Sequence, residues 1–337
     1  MATSTAMRMV GIDVSAGWID VERAAADEPV AVRRVANTAA GHRAVGRWLT
    51  QGGRDARVVL EATGVYSWDI ALALQRTARV EVMVLNPRVS KDFAGACGQR
   101  ASTDATAARR LREYAARMPF VPWVPPSAAA LELRALMRRV AAVVEMRTQE
   151  HNRWHALGAT AALPAAVRTE VRTHIQSLGR QIARLERAAR TVVQSAPALQ
   201  ARYERLRSIP GVGVRSALGL LAELAVLPAA LTARQWVAQA GLDPRPVRSG
   251  SSVHPPVRIS KRGNVHLRRV LFMPALVAVR RSPAVQRLAT QLTAQGKAPL
   301  QVLVAVMRKL LHAIYGMLKA NTDFDGERFR RSALAPT

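Results

Sequence analysis

From Met9 the chain alternates short apolar runs with stretches whose apolar residues recur at helical spacing. Met9–Val14, Trp18–Glu22 and Val32–Asn37 are short and rich in β-branched residues, which predicts strands. Gly41–Leu49 then reads as a helix, Arg57–Leu60 as a strand, Ser67–Gln75 as a helix and Val80–Leu85 as a strand, with a third helix beginning near Ser102. Three successive strands followed by helix, strand, helix, strand, helix is the order expected of an RNase H-like domain. A doubly wound nucleotide-binding sheet would alternate from its first strand. The glycines around Gly11 and Gly64 match neither a GxGxxG nor a Walker A loop.

Pro119, Pro122, Pro125 and Pro126 mark a linker, because proline cannot continue a helix and biases its predecessor away from helical geometry. Beyond it, Leu133, Leu136, Val140 and Val143, then Ile175, Leu178, Ile182 and Leu185, recur every three or four residues. Two long helices broken near Leu163-Pro164 are expected, as a hairpin or coiled-coil arm that serves as a spacer or a dimerisation element. The expected architecture is α/β plus α: residues 1–118 as the mixed domain, 119–127 as linker, 128–198 as coiled-coil helices, 199–325 as a mainly helical C-terminal domain, and 326–337 as a tail.

Composition narrows the function. Nearly half of the 337 residues are hydrophobic (49%), enough to bury a real core. A net charge of +27 calls for a polyanionic partner, with nucleic acid first among them. Only five of the fifty basic residues are lysines; a GC-rich coding sequence accounts for that bias but not for the surplus over acids. The surplus is concentrated: from Leu206 to Asn321 there are 17 Lys and Arg against two acids, Glu223 and Asp243. A solvated face would mix signs, so this region is read as a nucleic-acid surface. The single cysteine, Cys97, excludes a disulfide scaffold and a zinc site built from cysteine pairs. Met1 to Met9 lacks a signal-peptide core, and the longest apolar stretch, Leu300–Leu318, is interrupted by Arg308, Lys309 and His312, short of the ~20 residues a bilayer span needs. The expectation is a cytoplasmic protein without membrane contact.

Two carboxylates stand out by position: Asp13 at the end of the first strand and Glu61 directly after the fourth. Adjacent strands ending together would bring them to one sheet edge, and Asp104, opening the third helix, could point back to it. Three converging acids suit Mg²⁺, which takes hard oxygen ligands and bridges phosphate oxygens. Asp104 alone would equally serve as a helix cap. Ile209-Pro210-Gly211-Val212-Gly213-Val214, leading into a helical run from Arg215, resembles a helix-hairpin-helix, whose glycines let backbone N–H groups approach a phosphate; an ordinary turn between helices is the alternative. A third constellation is Gly241-Leu242-Asp243-Pro244, then Arg248-Ser249-Gly250-Ser251-Ser252, then Ile259-Ser260-Lys261-Arg262-Gly263-Asn264 and a helix carrying His266, Arg268 and Arg269. A serine flanked by guanidinium groups suits attack on a phosphodiester, although Ser-Gly loops are common.

Taken in order, Gly11-Ile12-Asp13-Val14-Ser15, Leu60-Glu61-Ala62-Thr63-Gly64-Val65-Tyr66, Asn86-Pro87, Thr103-Asp104, Ile209-Pro210-Gly211-Val212-Gly213, Gly241-Leu242-Asp243-Pro244, Ser249-Gly250 and Ile259-Ser260-Lys261-Arg262-Gly263 resemble the bridge-RNA-guided insertion-sequence recombinases, relatives of the Piv DNA invertase. The likeness runs from about residue 9 to 320. It implies an N-terminal RuvC-like DEDD domain, a coiled-coil segment and a C-terminal transposase domain with a catalytic serine. Carried onto this sequence, Asp13, Glu61 and Asp104 would hold Mg²⁺ and Ser249 would attack DNA, the choice among Ser249, Ser251 and Ser252 resting on the resemblance. Arg248, Lys261 and Arg262 are candidate phosphate clamps, and Gly211, Gly213, Arg215, Arg268 and Arg269 further nucleic-acid contacts. The implied partners are donor and target DNA, a structured guide RNA from the element itself, and further copies of the chain in a dimer or tetramer.

One position departs from the pattern. The family places a fourth acid three residues after the third, and here that residue is Ala107. A methyl group cannot ligate Mg²⁺, and Glu113 lies too far along the helix to replace it, so a disabled site is expected rather than one completed by another acid. Two other functions fit the same residues: a RuvC-type nuclease in which water attacks, and a non-catalytic RNA- or DNA-binding protein.

Overall fold

The computed structural model describes residues 6–62, 64, 66–98, 104–159, 164–245 and 258–334. The chain divides into two compact units, Met1–Pro125 and Pro126–Thr337.

In the first unit, apolar alternation builds a five-stranded sheet. Its strands are β1 (Arg8–Val14), β2 (Trp18–Ala25), β3 (Glu28–Ala36), β4 (Ala56–Glu61) and β5 (Val80–Leu85), in the order β3-β2-β1-β4-β5. The first three pair antiparallel, and β4 and β5 add in parallel through helical crossovers. Val10, Ile12 and Val14 of β1 face a core shared with Val58 and Leu60 of β4 and with α1 (Ala39–Leu49) and α2 (Trp68–Gln75). Val59 and Leu85 form a separate core on the opposite face with Leu111 and Tyr114. Strand β3 lies at the sheet edge and exposes Val30 and Val32. Helix α3 (Pro87–Ala96) has no counterpart in the sequence expectation. It starts because Asn86 accepts a hydrogen bond from the Arg88 amide (2.9 Å) and Pro87 takes the first helical position, where its missing N–H costs nothing.

Helix α4 (Asp104–Arg117) lies against β1 at backbone contact. A Cβ on Gly11 would stand 1.9 Å from the Ala108 carbonyl oxygen and 2.2 Å from the Arg112 nitrogen. Here glycine is required by space: the helix backbone occupies the volume a side chain would take.

The second unit is helical around one core. Two 30-residue helices, α5 (Ala128–Leu157) and α6 (Ala165–Gln194), pack on each other through Leu133, Met137, Val140 and Val143 on one and Leu178 and Ile182 on the other. There follow α7 (Pro197–Arg207), α8 (Val214–Leu224), α9 (Ala233–Gln239), the short paired strands β6 (Pro244–Arg245) and β7 (Arg258–Ile259), α10 (Val265–Arg281), α11 (Pro283–Ala294), α12 (Pro299–Ala320) and α13 (Gly326–Leu334). By length and composition α12 is apolar enough to cross a membrane. Its Val302, Val306, Leu310, Leu311 and Ile314 are buried in this core, as suits a central helix of a packed unit.

Gly11→Ala is expected to lower the unfolding free energy by about 3 kcal/mol, because neither backbone can give way without moving α4. Urea denaturation checks this, with Gly17→Ala as the control: its Cβ would meet nothing within 4 Å.

Candidate active site and nucleic-acid interface

Ile12 pairs with Leu60 in the parallel register of β1 and β4, so the next residues, Asp13, one short of the end of β1, and Glu61, the last of β4, lie side by side. Such strands lie ~4.8 Å apart. Because side chains alternate along a strand, Asp13 shares the face of Gly11, and Glu61 that of Val59. That face is the one covered by α4. Asp104 is the first residue of α4; its side chain lies outside the described residues.

Arg110 joins the helix to this edge, and the sequence reading, which followed acids alone, missed it. The Arg110 Nη2 donates to Glu61 Oε1 at 3.0 Å, and its Nε donates to Ser90 Oγ at 2.9 Å. Both charged side chains are largely buried (11% and 13% exposed), so the pair is shielded from water and geometrically fixed. The signal was spacing: Arg110 follows Ala107, itself buried, by three residues and shares its helix face. Glu113 is engaged by Arg109 of its own helix at 3.2 Å.

A divalent cation is the group these residues would hold. The donor set fits: two hard-oxygen carboxylates end adjacent strands on the helix-covered face, and a third acid opens the covering helix. Among the described residues no three acidic, histidine or cysteine side chains converge.

In the second unit the structure brings two of the noted motifs together. The Ser260 amide donates to the Asp243 carbonyl (2.9 Å), the Lys261 amide to the Gly241 carbonyl (3.1 Å), and the Ser260 hydroxyl to Asp243 Oδ1 (2.5 Å). Gly241 has φ +62°, and its Cβ would meet the Lys261 and Arg262 backbone at 2.9 Å. Lys261 also adopts a left-handed φ of 52°, a strained choice for a residue with a side chain. The clasp fixes the Lys261–Arg262 backbone. Arg268 is committed elsewhere, donating to the Ala240 carbonyl (2.8 Å), and Arg269 pairs with Glu145 at 3.3 Å on the surface.

Beneath the clasp is a buried carboxylate that sequence reasoning passed over. Glu223 of α8 is 3% exposed and accepts from Arg138 of α5 (2.8 and 3.0 Å) and from Asn264 Nδ2 (2.5 Å). Asn264 Oδ1 in turn caps α10, accepting from the His266 and Leu267 amides. Burial opposes ionisation of Glu223, but the Arg138 and Asn264 hydrogen bonds outweigh it and hold its pKa below the ordinary glutamate value. His266 is pushed down by burial and by the Arg138 charge, against the pull of Glu223.

Gly211, with φ +94°, turns the chain between α7 and α8, and its Cβ would strike Pro274 O and Ala278 N of α10 at 2.9 Å. Its role in the fold is thus close packing on α10. Gly213 is exposed at the N-cap of α8, and the Arg215 guanidinium pairs with Glu186 of α6. Arg248, Ser249, Ser251 and Ser252 lie outside the described residues.

Comparison with known proteins joins the two sites. A family profile described as "Transposase", built on the DEDD transposases of IS110, matches residues 10–157, and one described as "Transposase IS116/IS110/IS902 family" matches residues 203–290. This chain belongs to the IS110 transposase family. The Moraxella bovis pilin gene-inverting protein is 29% identical to this IS110-family chain over 269 residues, 80% of this chain and 81% of that protein. The Moraxella lacunata protein of the same name matches to the same extent. An uncharacterized 43.6 kDa protein of insertion element IS110 from Streptomyces coelicolor is 32% identical over 120 residues, 36% of this chain and 29% of that one. The chain is accordingly a DNA recombinase or transposase enzyme. Its first matched region contains Asp13, Glu61, Asp104 and Arg110, and its second contains the Gly211 turn, the clasp and Glu223.

The depressed pKa of Glu223 gives a pH signature for the transposase. Its stabilisation is complete above the unfolded value near 4.5 and is lost as pH falls through the lower folded value. Glu223→Gln should therefore cost about 2–3 kcal/mol at pH 7 and progressively less below pH 4. Urea unfolding of both proteins from pH 7 to 3 measures the difference and cancels the titration of the other acids.

Proposed function

We propose that this IS110-family transposase cuts and rejoins DNA through a covalent serine–phosphate intermediate, at sites chosen by base pairing with a structured RNA from its own element. The observation that supports it best is the placement of Asp13 and Glu61 at the ends of two hydrogen-bonded parallel strands, on the face covered by the helix that Asp104 opens. The strand order 3-2-1-4-5 and its direction of pairing agree with an RNase H-like, RuvC-type frame for those acids. Asp13, Glu61 and Asp104 would hold Mg²⁺. Bound there, the ion supplies charge that orients and polarises a scissile phosphate.

Ser249 is the nucleophile in this reading. Its hydroxyl oxygen bonds to phosphorus while the P–O bond to one DNA strand breaks, and the hydroxyl proton leaves with that strand's oxygen. The phosphoserine ester keeps the bond energy, so a second strand's hydroxyl reverses the step and no high-energy cofactor is needed. Arg248, Lys261 and Arg262 neutralise the phosphate, and the Asp243–Ser260 clasp positions the last two. The long helices α5 and α6 would act as a coiled-coil arm through which copies of the chain form a dimer or tetramer.

For this particular chain, Ala107 and the Glu61–Arg110 pair favour a second reading, in which the site binds nucleic acid with its chemistry disabled. A denaturing gel with labelled element and target DNA, flanking RNA and Mg²⁺ decides between them, comparing the chain with Ala107→Asp and Ala107→Asp/Ser249→Ala. A protein–DNA adduct in Ala107→Asp alone, dependent on the RNA, is expected. Free-ended cleavage that survives Ser249→Ala would mean a hydrolytic nuclease. Site-specific cleavage without RNA would remove the guide, and tight binding with no cleavage in any lane would leave a binding protein.

A further inference from the structure

The second unit contains a cavity of about 1230 Å³ whose lining shares Lys261 with the phosphate clamps proposed above and otherwise lies apart from them. Its apolar floor includes Leu288 and Leu292 of α11, Val304 and Met317 of α12, and Phe324 just beyond. Basic side chains line the same cavity, among them Arg234, Arg258, Lys261, Lys297, Arg308 and Arg328. None of these six has an ion-pair partner among the described residues. The two acids that line the cavity are occupied: Asp323 faces Arg205 at 3.6 Å, and Asp325 accepts from the Glu327 and Arg328 amides at the start of α13. His312 also lines it, with a buried Nε2 that finds no hydrogen-bond partner among the described residues. Burial, then Arg308, Lys309 and Arg234, push the His312 pKa down, so the ring is neutral and that nitrogen can donate or accept according to its tautomer.

The ligand must therefore be anionic, partly apolar and able to hydrogen-bond. A duplex presents phosphates and keeps its base faces stacked inside, which would leave the floor uncovered. A second copy of this chain brings like charge, +27 on each. The volume exceeds the ~300–1,000 Å³ of ordinary small-molecule sites, which suits several linked residues better than one metabolite. We propose that this cavity takes unpaired nucleotides of a nucleic-acid strand, bases on the apolar floor, one base edge at His312 Nε2, and phosphates on the arginine and lysine rim. Phe324, half-buried beside Phe329, offers an aromatic face for a base. This deepens the proposed function by giving the basic unit a preference for unpaired strands; it rests on that reading for the identity of the polyanion.

The test is fluorescence anisotropy on the full chain with 12-nucleotide single-stranded DNA, single-stranded RNA, duplex DNA, and a single strand whose central four nucleotides are abasic. Single strands should bind about tenfold tighter than the abasic strand, at equal phosphate charge. Val304→Trp, which fills the floor, should erase that gap and leave duplex binding intact. Lys297→Glu/Arg308→Glu should weaken all arms and flatten their salt dependence. The DNA and RNA arms identify which strand is preferred. Equal affinity for abasic and intact strands, or a gap that survives Val304→Trp in a folded protein, overturns the proposal. Adduct formation by Ala107→Asp reads the recombinase chemistry separately: an adduct without the base-dependent gap removes this cavity's role alone, and a gap without an adduct removes only the serine mechanism.

Discussion

The backbone contact between α4 and β1 is the constraint on which the first unit depends. Gly11 lets the helix settle into the space a side chain would fill, and Leu111 and Tyr114 then reach Val59 and Leu85 to make that face of the sheet dry. The same contact sets which turn of α4 lies over the strand ends. It brings Arg110 to Glu61 and fixes the helix face on which Ala107 sits. A shift by one residue along the helix, a 100° rotation, would carry the guanidinium away from the carboxylate and break the core as well. Packing and site geometry are thus one interaction.

The second unit uses buried charge differently. Glu223 lies at the meeting of α5, α8 and the start of α10, and its two oxygens collect Arg138 and Asn264. Removing either partner would leave a carboxylate desolvated and under-satisfied, which costs more than the net worth of any single hydrogen bond. Asn264 couples this network to the helix cap and so to the backbone that presents Lys261 and Arg262.

The two units also differ in what they do with their cations. In the first, many basic side chains are paired with acids of the same unit: Arg8 with Glu28, Arg34 with Asp20, Arg112 with Glu22, Arg110 with Glu61. Between Leu206 and Asn321 the only acids are Glu223 and Asp243, one bound by Arg138 and Asn264 and the other by Ser260. The remaining cations there have few carboxylates to meet, so the field of that region is available to an external polyanion.

Strand positions, helix spacing and the charge surplus were legible in the sequence because they are local or additive. Alternation reports burial one residue at a time, and charge sums without regard to geometry. Asp13 and Glu61 were legible as site candidates for the same reason, since each ends a run of strand residues. Helix α3 was not, because its start depends on the Asn86 cap and a proline that reads equally well as a turn. Nor was the pairing of Arg110 with Glu61, of Arg138 with Glu223, or of Gly211 with α10, which join residues 49, 85 and more than 60 positions apart. By itself the sequence determined the strands of the first unit and their order along the chain, the two long helices, and the sign of the partner. Only the tertiary structure decided which charges neutralise one another and which glycines serve packing, because both depend on distances across the fold that no local pattern encodes.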